Sequence, residues 1–243
     1  MIRFEGVSKS FGRVRALRDL SFEVRRGTLT AVLGADGAGK STALKTVLGL
    51  VRPDAGRVLF KDRPVAEALS AVRRATGYMP GRFGLYPDLT AGETLQFVAA
   101  IHGLPRARSR ARTGELLDQA GLARFSGRRV ADLSGGMRQK LALCAALVQC
   151  PEVLLLDEPT AGIDPFSRLE IFGSLTRLAS EGMTILMTTT STEEAARAEF
   201  VVHLWRGRAL RSGRVRGLEE EAGRSLREIV VETETAAERE PRA

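Results

Sequence analysis

The nine residues GADGAGKST at 34–42 constrain this chain more than any other feature. They follow the apolar strand-like run TLTAVL at 28–33 and open a helical pattern over Lys40–Leu50. The spacing G-x-x-x-x-G-K-[ST] therefore stands between a strand and a helix, the setting that gives it meaning. Its glycines let successive backbone N–H groups turn inward on phosphate oxygens, and the helix N-terminus adds its positive dipole end. The candidate phosphate cradle is Gly34, Ala35, Asp36, Gly37, Ala38, Gly39, Lys40, Ser41 and Thr42, with Lys40 reaching the terminal phosphates and Ser41 offering its hydroxyl to Mg²⁺. The ligand class expected is a nucleoside triphosphate.

A second stretch, VLLLDEP at 153–159, fits the same chemistry. Four apolar residues bury a strand and deliver Asp157 to the metal, and Glu158 beside it is placed to orient or deprotonate an attacking water. Metal candidates are thus Ser41 and Asp157, and the catalytic candidate is Glu158.

Strand-like runs (RFEGV, LSFEV, TLTAVL, RVLF) separated by Gly, Pro or Asp breaks fill the first third of the chain. Helical periodicity then takes over from Asp88 to about Gln119, with Thr90 and Glu93 spaced as a capping box. Beyond Gly136 helices alternate with the strands VLLLD, MTILMT and FVVHLW. Alternation of this kind predicts an α/β fold with a parallel sheet flanked by helices, the helical stretch at about 84–134 being an insertion. The tail after residue 215 turns polar and acidic and is expected to fray after about Val231.

Composition excludes more than it assigns. The 243 residues carry no apolar run near the roughly 18 needed to span a bilayer, and MIRFEGVSKS lacks the apolar core of a signal peptide, so a cytosolic chain is expected. Cys144 and Cys150 have no second pair for a metal site and read as inert thiols. A formal charge of +8, with arginines concentrated at 105–112 and 206–216, is compatible with solvated faces and does not by itself call for nucleic acid.

Between the two phosphate-site motifs stands LSGGMRQK at 133–140, and AGIDP follows at 161–165. With these in order, the chain resembles the ATP-binding subunits of ABC transporters over about residues 2–215, and in particular the branch that exports drugs and lipophilic compounds, whose loops FGLYPDLT and DPFSR are similar to. The resemblance implies a P-loop NTPase core of ABC ATPase type with an antiparallel β subdomain, a single ATPase domain at 1–215 (core 1–83 and 135–215, helical subdomain about 84–134), and a partly disordered tail at 216–243. It implies that Phe11 in SKSFG stacks on adenine. The signature residues Leu133, Ser134, Gly135, Gly136, Met137 and Gln139 would address ATP held by a second ABC ATPase domain, and Asp164 would be the D-loop aspartate. ATP and Mg²⁺ are the implied ligands. Polytopic permease subunits are the implied partners, with Phe83, Leu85 and Tyr86 as candidates for receiving one of their cytoplasmic helices. No specific nucleic acid is expected, and the site of action would be the inner face of the cell membrane.

Two positions depart from the family pattern. Gly81 stands where the Q-loop glutamine belongs, in TGYMPGRFG, and Thr190 stands where the H-loop histidine belongs, in MTTTSTEEA. Neither residue can do what the family's side chain does, and His203, inside FVVHLW, reads as a packed strand residue. Losing one preorganised donor typically costs roughly 3–4 kcal/mol of transition-state stabilisation. The expectation is a site that binds ATP and hydrolyses it slowly, paired with an unequal ATPase partner. Two other readings stay open on the sequence: an ABC protein of translation or DNA repair, and a nucleotide sensor with little turnover.

Overall fold

The computed structural model describes residues 1–81 and 84–239, and Phe83 lies outside them. Strands β1 (Ile2–Phe11) and β2 (Val14–Val24) form a hairpin, after which β3 (Leu29–Leu33) leads into α1 (Lys40–Val47). Then come β4 (Ala55–Phe60), β5 (Arg63–Pro64), α2 (Leu69–Ala75) and β6 (Thr76–Met79). Helices α3 (Ala91–Ile101), α4 (Arg106–Gln119) and α5 (Gly135–Leu147) follow without an intervening strand. The order then alternates through β7 (Val153–Asp157), α6 (Pro165–Ser180), β8 (Thr184–Thr189), α7 (Thr192–Ala195), β9 (Phe200–Trp205) and β10 (Arg208–Arg214), and closes with α8 (Val215–Ala222) and α9 (Leu226–Arg239).

Two sheets result, one ordered β2-β1-β4-β5 and the other β10-β9-β3-β8-β7-β6. The first is antiparallel, and the second is parallel apart from the β9–β10 pair. The unbroken apolar run VLLLD has its explanation in the second sheet. On β7, Leu154 and Leu156 join the core shared with α3 to α6, whereas Val153 and Leu155 join the core shared with α1 and the antiparallel sheet. A strand buried on both faces shows no polar alternation. Strand β3 divides in the same way, Ala31 and Leu33 to one side and Val32 to the other.

Three boundaries differ from the sequence reading. The strand read as RFEGV is longer: β1 continues through Ser8, Lys9 and Ser10 to Phe11, which pairs with Val14 across the hairpin. The helix expected over Lys40–Leu50 stops at Val47, because Gly49 turns to a φ of 64° and ends it.

The tail also departs from expectation, since α9 continues as a helix to Arg239 where fraying after Val231 was expected. Leu226, Ile229 and Val230 are buried at helical spacing, and His203 of β9 meets Glu234 Oε1 and Thr233 Oγ1, each at 3.0 Å. The polar composition of the tail hid a narrow apolar stripe. Among the described residues no helix is long and apolar enough to cross a membrane.

Candidate nucleotide site

The cradle forms where β3 ends and α1 begins. Gly39 caps α1 at a φ of 106°, and a β-carbon there would lie 2.3 Å from the carbonyl oxygen of Ala16, so only glycine fits. Lys40 starts the helix almost fully buried, and its Nζ donates to Gly34 O at 2.9 Å and Ala35 O at 3.1 Å. It also pairs with Glu158 Oε1 at 3.1 Å, a buried cation meeting a carboxylate from the turn after β7. The P-loop is fixed from behind by Gly34 N–H donating to Thr189 O and Gly207 N–H donating to Ala38 O.

Beside the cradle, Asp157 at the tip of β7 is buried and doubly held. Ser41 Oγ donates to its Oδ1 at 3.0 Å, and Thr188 Oγ1 donates to the same atom at 2.7 Å. Thr188 in turn accepts the Glu158 N–H at 2.9 Å. A hydroxyl and a carboxylate converging next to a phosphate cradle fit Mg²⁺, which takes one or two protein oxygens and leaves its other positions to water and phosphate. Among the described residues no group of three or more His, Cys, Asp or Glu stands together. Burial, with the charge of Asp157 adding to it, pushes the Tyr78 phenol up to about 12 and keeps it neutral.

The hydroxyl-rich end of MTILMTTTST is thus a scaffold. Thr188 aligns Asp157 and Glu158. Thr189 accepts the Ser191 N–H at 3.0 Å and donates to the buried carboxylate of Glu194, and Ser191 caps α7. Thr190 lies between them, exposed and with no side-chain hydrogen bond among the described residues. Gly81 also sits at the site: a β-carbon built there would lie 3.6 Å from Asp157 Oδ2. A side chain at 81 would enter the space beside the metal candidates, and glycine supplies none.

The remaining sequence candidates lie apart from Lys40 and Asp157. Phe11 is half exposed at the hairpin tip opposite Val14, with Lys9 Nζ 5.5 Å from its ring centroid. Ser134 caps α5 by accepting the Met137 N–H at 3.2 Å, and Ser134 and Gly135 are exposed. Gly136 is buried against α6, where a β-carbon would meet Ser167 Oγ at 2.2 Å. Among the described residues no hydrogen bond or ion pair joins this signature turn to Gly34–Thr42. Asp164 caps α6 through the Ser167 N–H at 2.9 Å, a bond that holds its carboxyl below the usual range. Leu85 is half-buried, and Tyr86 meets Phe97 edge-on at 5.3 Å.

The profile of the family described as ABC transporter matches residues 17–161. The chain belongs to the ABC transporter family. As an ABC ATP-binding domain, it is 38% identical to the daunorubicin resistance ATP-binding protein DrrA3 of Streptomyces coeruleorubidus, over 95% of this chain and 73% of that one. It is 40% identical to the Nod factor export ATP-binding protein I of Paraburkholderia xenovorans, over 81% of this chain and 64% of that one. Among solved structures, the dimeric ATP-binding cassette MJ0796 bound to ADP and Pi superposes with a TM-score of 0.79 at 28% identity, over 88% of this ABC domain and 98% of that chain.

Sequence reasoning on this ABC domain missed Thr188, Thr160 and Glu194 as site residues. The triple threonine was a signal, because hydroxyls closing a buried parallel strand must find partners. Which partners they find depends on the neighbouring strand.

Proposed function

We propose that this ATP-binding domain works as one half of an unequal pair, energising export of a drug-like or lipophilic compound through separate permease subunits at the inner face of the membrane. Lys40 and the P-loop amides would bind the phosphates of ATP, Phe11 would stack on adenine, and Ser41 and Asp157 would hold Mg²⁺. The metal, when bound, supplies charge neutralisation at the phosphates. Glu158 is the group positioned to take a proton from the attacking water. The signature turn Leu133 to Gln139 and Asp164 would serve the partner's nucleotide, consistent with their separation from this chain's own cradle. The export role is supported by the name of the Nod factor export relative and the drug by that of the daunorubicin resistance relative, and the core, helical subdomain and tail would divide as the motif order indicates.

One observation carries the inequality. The metal candidates are held in place, yet Gly81 and Thr190 bring neither an amide nor an imidazole to them. A β-carbon at 81 would press on the Asp157 carbonyl at 3.3 Å, so any side chain there asks for a shift of a few tenths of an ångström. The test is ATP binding and Mg²⁺-dependent hydrolysis by the purified chain, compared with Gly81→Gln/Thr190→His and with Lys40→Ala. Expected are binding on the order of micromolar with negligible turnover, a gain of about 10²-fold in the double variant, and loss of binding in Lys40→Ala. Brisk turnover by the unaltered chain would remove the case for an unequal partner.

A further inference from the structure

Glu194 is a carboxylate buried in a place where its charge must be answered, and a turn, a strand end and a helix answer it. Thr160 Oγ1 donates to Oε1 at 2.6 Å, Thr189 Oγ1 donates to Oε2, and Arg168 Nε lies 3.5 Å from Oε1. These partners flank the groups of interest. Thr160 is two residues beyond Glu158, Arg168 is one helical turn beyond Asp164 and donates its N–H to Asp164 O at 3.1 Å, and Thr189 precedes Thr190. Arg168 Nε is itself buried with no hydrogen-bond partner among the described residues, and the Glu194 carboxylate is the charge beside it.

The turn that Thr160 anchors is strained. Glu158 has a φ of 51°, a conformation that a non-glycine residue keeps only where its surroundings over-determine it. Its N–H is taken by Thr188 and its carbonyl by the Ala161 N–H at 3.1 Å, which leaves the buried Thr160 as the far end of the turn. Glu194 holds that end.

We propose that Glu194 is a positioning residue of the ATPase reaction, locking the Glu158 turn, the Asp164 helix and the loop around Thr190 into one unit. The inference rests on the roles given above to Glu158 and Asp164. It extends them, because a single buried carboxylate then links this chain's own site, through Thr160, to the residue offered to the partner's site, through Arg168. Either site of an assembled pair would depend on it. A displacement of catalytic groups by a fraction of an ångström to 1 Å lowers rate without weakening phosphate binding.

The experiment uses the full chain assembled with its permease and partner ATPase, with variants Glu194→Gln, Thr160→Val and Thr160→Ser. Expected is a fall in kcat of about tenfold for Glu194→Gln and Thr160→Val, KM for ATP within about twofold, near-normal kcat for Thr160→Ser, and a double Gln/Val variant no worse than the poorer single one. A purely structural role would lower thermal stability and leave turnover per folded molecule intact, which overturns the proposal. Hydrogen exchange on the purified chain gives a readout independent of turnover: amides of 159–168 should exchange about tenfold faster in both Glu194→Gln and Thr160→Val. Acceleration confined to 189–196 overturns the proposal. Should Glu194→Gln fail to fold, Thr160→Val removes one bond of the same unit and decides alone. Whether the chain's own site is slow is read separately, from Gly81→Gln/Thr190→His.

Discussion

Thr188 and Asp157 are hydrogen-bonded at 2.7 Å across the neighbouring parallel strands β8 and β7, 31 residues apart in the chain. The same hydroxyl oxygen receives the Glu158 N–H, so one buried threonine sets the carboxylate proposed to hold the metal and the backbone that carries the catalytic candidate. Thr188→Val keeps the shape and leaves a buried N–H and a carboxylate oxygen short of a partner. The expected cost is about 1–3 kcal/mol of stability by urea unfolding, with Mg²⁺-dependent ATP affinity weakened in parallel. Thr188→Ser should restore both.

Helix α9 is held by its apolar stripe and by the buried imidazole of His203. Ile229→Ala should destabilise the fold by about 2–4 kcal/mol, and a chain ending at Gly223 should lose a comparable amount while leaving His203 without its partners. Limited proteolysis should spare α9 in the unaltered chain and cleave Ile229→Ala within it.

Asp164 supplies a pH test whose sign is fixed by its cap. The Ser167 amide, first among the causes, lowers its carboxyl from an ordinary value of 3.8, so the folded state binds that proton less readily than the unfolded one. The stabilisation is fully present above the ordinary value and is lost as pH falls through the lower folded one. Thermal unfolding at pH 7 and at pH 3 should show a larger acid-induced drop for the unaltered chain than for Asp164→Asn, whose amide oxygen caps the helix at both values.

The two thiols should separate cleanly by reactivity. Burial pushes Cys144 up to about 12, so at pH 8 only about one thiol in ten thousand there is thiolate. Cys150 is exposed. Titration with a thiol reagent should modify one cysteine per native chain, at Cys150, and two after denaturation. Rapid labelling of Cys144 in the native protein would contradict the packing of α5 against α4, where its Sγ meets Leu116 O at 3.4 Å.

Much of this was legible in the sequence because it is local. A phosphate loop needs glycines at fixed spacing and a helix to follow, and GADGAGKST at the end of an apolar strand states both. Buried parallel strands read as unbroken apolar runs, and Thr90 with Glu93 formed the capping box that their spacing foretold. Gly81 and Thr190 were legible as departures because the motifs around them are intact. The C-terminal helix was not, since Leu226, Ile229 and Val230 amount to one stripe in a polar tail and gain their meaning from the surface of β9 and α7 beneath them.

The sequence by itself determined the order of the motifs, the alternation of strands and helices, and the chemistry of the phosphate cradle, all of which depend on neighbours a few residues apart. Only the tertiary structure decided where three threonine hydroxyls and one glutamate would be used. The register that sets Asp157 opposite Thr188 belongs to the packing of the whole sheet. The meeting of Thr160, Arg168 and Glu194 needs a turn and two helices brought to one point, and a buried carboxylate is stable there only because all of its partners arrive together.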